Sequence, residues 1–180
     1  LMPLVAFSGV AGQETINLLS GARFNQTGML FFGFMLVLIP FSQRQILETV
    51  AIAAGQSSLC ARAALSGLLI LPLIYALLLE HLGLWAAIIS LGVGHLVFNG
   101  ILLIGLSSKA GYQADFTGFR KLIVSALAGY LVALSLTAIK SATVKLVGVA
   151  FLVTVAFLVA AYIAKPFTED ERAKINRLIN

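Results

Sequence analysis

"MLFFGFMLVLIPFSQRQILETVAIAA", residues 29–54, is the stretch on which the fold turns. It runs apolar to Phe41, becomes polar through Ser42, Gln43, Arg44 and Gln45, and then returns to apolar residues around Glu48. Its length matches a helix crossing a bilayer, which needs roughly 20 residues for a hydrocarbon core of about 30 Å. Pro40 does not argue against a span, because neighbouring helices can re-satisfy the carbonyl that a membrane proline frees.

Outward from this stretch the composition is of the same kind. Of the 180 residues, 60% are hydrophobic and 11% charged, and the mean hydropathy is +1.03. Soluble domains carry about 25% charged residues, so the chain reads as all-α and integral to a membrane, with no room for a second, soluble domain. The opening "LMPLVAFSGVAG" is too short to span and lacks the basic start of a secretory signal. It is therefore expected to be the end of a truncated transmembrane helix, residues 1–12.

The remaining pattern predicts a multi-spanning bundle of five full helices at about 28–54, 63–79, 84–106, 122–139 and 146–164, together forming a membrane domain over 13–164. Polar residues 13–26 form the first connection, "GQSSLCAR" (55–62) reads as a turn from its Gly and Ser content, and "EHLG" (80–83) reads as a tight one. Trp85 falls where interfacial aromatics sit. The tail, residues 165–180, carries Thr168 and Glu171 at capping-box spacing, acids before bases, and a narrow apolar edge of Ile175, Leu178 and Ile179. A short amphipathic helix on the membrane surface is expected there.

Lys and Arg crowd into cytoplasmic loops. Arg62, Lys109, Arg120, Lys121, Lys165, Arg172, Lys174 and Arg177 fall on one side, and Arg23, Lys140 and Lys145 on the other. The tail and the 107–121 loop are thus expected in the cytoplasm, with 13–26 outside, in a multi-pass protein of the cytoplasmic membrane. The net charge of +5 forms no basic stripe with interleaved aromatics, so no nucleic-acid partner is expected. Membrane lipids are the expected surroundings.

Arg44 and Glu48 need an explanation in this setting. Each charge at a helix centre costs about 2.5 to 3.5 kcal/mol, while each Leu, Ile, Phe or Val returns only about 0.3 to 0.6. Counted from Thr27 to Ala54, Arg44 lies about 5 to 6 Å and Glu48 about 11 Å from the midpoint at ~1.5 Å per residue. Both fall on one face, and that face should look onto a water-filled cavity or the bundle interior rather than lipid. One reading is a self-neutralising pair, since residues four apart touch on a helix. The other is a cavity lining in which Arg44 captures an anion such as phosphate and Glu48 orients it, or binds a proton or cation.

His95 and Asn99 repeat the spacing in the 84–106 span. Asn99 reads as interhelical glue, and His95 equally as glue or as a proton-relay group. Gly92, Gly94 and Gly100 would let a neighbouring helix approach. Arg44, Glu48, His95 and Asn99 are therefore the candidate substrate-binding residues. No catalytic residue, metal ligand or cofactor is expected: there is no paired-carboxylate motif, H-E-x-x-H, P-loop or nucleophile elbow, and the lone Cys60 fits no metal spacing.

Several stretches in order resemble one family. "LLSGARF" (18–24) is similar to the outward loop before a long helix in polysaccharide and lipid-linked oligosaccharide flippases of the multidrug/oligosaccharidyl-lipid/polysaccharide exporter superfamily. "AAGQSS" resembles the turn after that helix, "HLGLWAAIISLGVGHLVFNGILL" the next outward-to-inward span, and "KPFTEDER" the tail of bacterial members. The resemblance implies the C-terminal portion of a 14-span chain, two pseudo-symmetric lobes rocking about a central cavity, and a partner N-terminal lobe. It also implies a polyprenyl-pyrophosphate-linked glycan as substrate and cationic cavity residues, a role that falls on Arg44 by position and chemistry. A cation-coupled multidrug antiporter of the same superfamily, with Glu48 or His95 carrying the ion, and a non-transporting membrane subunit are the alternatives.

Overall fold

The computed structural model describes residues 1–21, 24, 27–111, 117–135 and 141–164. Among these the chain is helical throughout, without strands: α1 (Met2–Ser20), α2 (Thr27–Ala53), α3 (Ser57–Leu82), α4 (Leu84–Ala110), α5 (Thr117–Leu134) and α6 (Ala142–Ala164). Four of these, α2, α3, α4 and α6, are long and apolar enough to cross a membrane, which marks the protein as membrane-embedded. Hydropathy leads to an expectation of five full spans; the fourth of those, 122–139, corresponds to α5, and residues 136–139 lie outside the described ones. The 165–180 tail also lies outside them.

Helix boundaries differ from expectation wherever a single glycine is enough to turn the chain. Gly55 (φ 71°) and Gly83 (φ 52°) adopt the left-handed conformations that L side chains resist. Each reverses the chain within a residue or two, so α3 begins at Ser57 and continues to Leu82. The segments read as connections at 55–62 and 80–83 are therefore mostly helix. Likewise α1 does not end at residue 12. Its helical geometry breaks at buried Ala11 (φ −118°, ψ 15°) and then resumes to Ser20.

Two compact units result, the first from Leu1–Gly28 with the described part of Asp115–Asn180, the second from Met29–Ala114. In the first, α1, α5 and α6 pack around Ala6, Val10, Ala11, Ala133, Val149 and Val153. Gly129 brings α5 so close to α6 that a Cβ there would meet the Val153 carbonyl oxygen at 3.2 Å, the small-residue contact typical of membrane helix pairs.

The polar stretch Gln13–Asn17 of α1 stays helical with the help of partners. The Gln13 side chain donates to Asn17 Oδ1 (2.9 Å) and to the Phe24 carbonyl (3.1 Å), and accepts from the Gly28 N–H (2.9 Å). Thr15 donates back to the Ala11 carbonyl at 2.8 Å. Glu14 forms an ion pair with Lys145 of α6.

In the second unit α3 and α4 form an antiparallel pair, and α2 packs across them through its side chains. The core is Leu47, Ala51, Leu59, Ala63, Phe98, Leu102 and Leu106. Gly33 of α2 receives the ring of Trp85: a Cβ at Gly33 would lie 2.6 Å from Trp85 Cζ3. The outward face of α3 presents Leu69, Leu73 and Leu77, all exposed. A row of exposed leucines is what lipid solvates and water does not.

Candidate functional site

The second unit gathers the polar residues of two spans at one level. On α2, Phe41, Arg44 and Glu48 follow one another at three- and four-residue steps along one face. On α4, Phe98 and Asn99 stand three and four residues beyond His95. Pro40 fixes the contact between the helices: its carbonyl accepts a hydrogen bond from Asn99 Nδ2 at 2.8 Å. Asn99 is 4% exposed, and its Oδ1 is buried without a hydrogen-bond partner among the described residues. Its role as interhelical glue thus has a specific acceptor, one that nothing in the sequence marks.

One turn further along, the His95 and Phe41 rings meet in a T-shaped contact, with centroids 5.2 Å apart at 64°. The guanidinium carbon of Arg44 lies 4.1 Å from the Phe98 ring centroid, within the range of a cation–π contact. Arg44 Nη2 stands 3.6 Å from Glu48 Oε1, with both side chains about one-third exposed. At that separation the two charges attract but share no hydrogen bond. Arg44 makes no hydrogen bond to any described residue, so its five N–H donors stay available. The self-neutralising pair and the cavity lining are therefore both present, with the pair loose enough to leave the guanidinium open.

Arg44, His95 and Phe98 line a cleft of about 640 Å³ whose remaining walls are Ala, Leu and Gly of α3 and α4. Two of its lining residues bring the helices together: a Cβ on Gly67 would meet the Gly94 carbonyl oxygen at 3.4 Å. Gly94, expected to permit close approach, does so against Gly67. Neither Glu48 nor Asn99 borders the cleft. The four expected site residues thus sit in the same unit, with only Arg44 and His95 on the cleft.

Sequence reasoning misses Phe98. It lies three residues beyond His95, so helical spacing alone places it on the same face, but an aromatic in an apolar span carries no signal of its own. Cys60 packs in the α2–α3 contact, its thiol 4.0 Å from the Glu48 carbonyl oxygen. No three His, Cys, Asp or Glu side chains converge on a metal-sized site among the described residues. No known protein family, curated protein or solved structure matches the chain.

Proposed function

We propose that this chain is the C-terminal part of a polytopic transporter that flips lipid-linked oligosaccharide or polysaccharide precursors across the cytoplasmic membrane by alternating access. The observation that carries this reading is the Arg44 guanidinium, embedded in a membrane span, free of hydrogen bonds to described residues and opening onto a cleft. A charge held at that depth is expensive, and capture of an anionic group on the substrate gives it a use. The ordered sequence resemblance to the flippases supplies the substrate class, a glycan on a polyprenyl pyrophosphate, and the N-terminal lobe as intramolecular partner. Its role is transport, with no catalysis at the site.

The cation-coupled drug antiporter is the weaker reading because of the sign of the charge. Arg44 borders the cleft and Glu48 does not, so a cationic drug would meet repulsion there. The test is translocation of a labelled polyprenyl-pyrophosphate glycan by proteoliposomes containing the full-length transporter. Arg44→Ala is expected to abolish transport while the protein remains folded and monodisperse, and Arg44→Lys to restore it only in part, since a point charge replaces a planar fork. Full transport by Arg44→Ala would contradict the reading.

A further inference from the structure

We infer that the α3–α4 cleft seats the hydrocarbon chain of a phosphate-headed, single-chain lipid whose phosphate is held by Arg44, with the glycan lying elsewhere. This rests on the flippase reading for the identity of the cargo, while the binding itself is measured without transport. Among the described residues that border the cleft, only Arg44 and His95 have side chains with a hydrogen-bonding group. A sugar placed there would leave its hydroxyls unpaired, at a cost of several kcal/mol in an apolar surround. A hydrocarbon chain loses nothing.

The dimensions fit the same occupant. The α3 wall runs from Ala61 to Leu71, about 15 Å of helix at ~1.5 Å per residue. Ala61, Ala64, Gly67 and Gly94 leave room along the cleft, and Leu68, Leu71 and Leu91 supply hydrocarbon surface. Lipid tails are as apolar as leucine, so a chain gains little free energy by leaving the bilayer for this groove. The groove therefore selects by shape, and the anion on Arg44 supplies the affinity through charge-assisted, fork-like hydrogen bonds.

The experiment uses the full-length transporter in phosphatidylcholine nanodiscs, with farnesyl phosphate bearing a diazirine in its chain as probe. Farnesol and inorganic phosphate are the comparators. Farnesyl phosphate is expected to bind at least ~10-fold more tightly than either, the size of one charge-assisted contact, and to label residues within 61–71 and 91–98. Ala64→Trp and Leu68→Trp, which fill the groove, are expected to weaken it about tenfold or more. Leu69→Trp, on an exposed α3 position outside the cleft, is expected to leave it unchanged, and Arg44→Gln to erase the preference over farnesol. Labelling outside the cleft, or undiminished binding by folded Ala64→Trp and Leu68→Trp proteins, would overturn the inference. Undiminished chain binding in these variants with translocation intact would retire this inference alone, whereas cleft binding without any translocation would retire the flippase reading and leave the site.

Discussion

The Arg44 guanidinium carbon rests 4.1 Å above the centre of the Phe98 ring. Phe98 is 1% exposed and belongs to the core that joins α2, α3 and α4. The ring therefore anchors the cation from below while leaving its edge open to the cleft, which is how a helix bundle can hold a charge without neutralising it. Glu48, at 3.6 Å, balances that charge at longer range.

The stacking should be measurable as a coupling. A double-mutant cycle of Arg44→Met and Phe98→Leu, read from thermal unfolding in detergent, is expected to return an interaction of about 0.5 to 2 kcal/mol, the span from exposed to desolvated cation–π pairs. Additive effects would place the guanidinium away from the ring.

Asn99 makes a sharper prediction because it has one satisfied and one orphaned atom. Asn99→Leu removes the bond to Pro40 but also the buried unpaired oxygen. Its net cost should stay near the ~0.6 kcal/mol typical of interhelical membrane hydrogen bonds. Asn99→Asp puts a carboxylate against the Pro40 carbonyl with no donor between them, and should cost about 3 kcal/mol or more as an uncompensated buried charge. Chemical or thermal denaturation of the two variants side by side checks the order.

Gly33 and Trp85 give a spectroscopic handle. Trp85 is the only tryptophan, and its ring occupies the space of a Gly33 side chain. Gly33→Val is expected to displace the ring, shift the tryptophan emission maximum and destabilise the protein by about 1 to 3 kcal/mol, as overpacked contacts do. An unchanged emission spectrum would mean that the two helices do not meet there.

In the first unit, Glu14 and Lys145 form a largely buried ion pair between α1 and α6. Glu14→Gln or Lys145→Met alone should cost up to ~3 kcal/mol by leaving the other charge unpaired, and the double variant should cost less than either. Thermal midpoints of the three proteins decide it.

What could be read in one dimension depends on which force fixes each feature. The spans of α2, α4 and α6 follow from hydropathy alone, because lipid demands unbroken apolar helix. The ends of α1 and α3 do not. Gln13, Glu14, Thr15 and Asn17 look like a loop in sequence, and only the partners they find in space, Phe24, Gly28 and Lys145 among them, make a helix of them. Arg44, Glu48, His95 and Asn99 stand out because charge and polarity are costly in a membrane. Their division into cleft-facing and interhelical residues is invisible in the sequence, since it depends on how α2 crosses α4. Phe98 and Pro40, the partners that fix Arg44 and Asn99, raise no signal in an apolar chain.

Chemical access beside Arg44 decides whether the membrane-embedded cation faces a solvated, ligand-binding cleft. In a Cys60→Ser background, which removes the only cysteine of this chain, Ala64→Cys, on the cleft wall, is labelled in membranes with a small cationic methanethiosulfonate reagent, with and without polyprenyl pyrophosphate. The thiol at position 64 should react readily and be protected by the lipid pyrophosphate while Arg44 is present, and the protection should vanish when Arg44→Gln is added; a thiol placed in the helix contact by Asn99→Cys should stay unreactive. Resistance to the reagent at position 64, or equal protection with and without Arg44→Gln, would show that the guanidinium does not serve an anionic cargo.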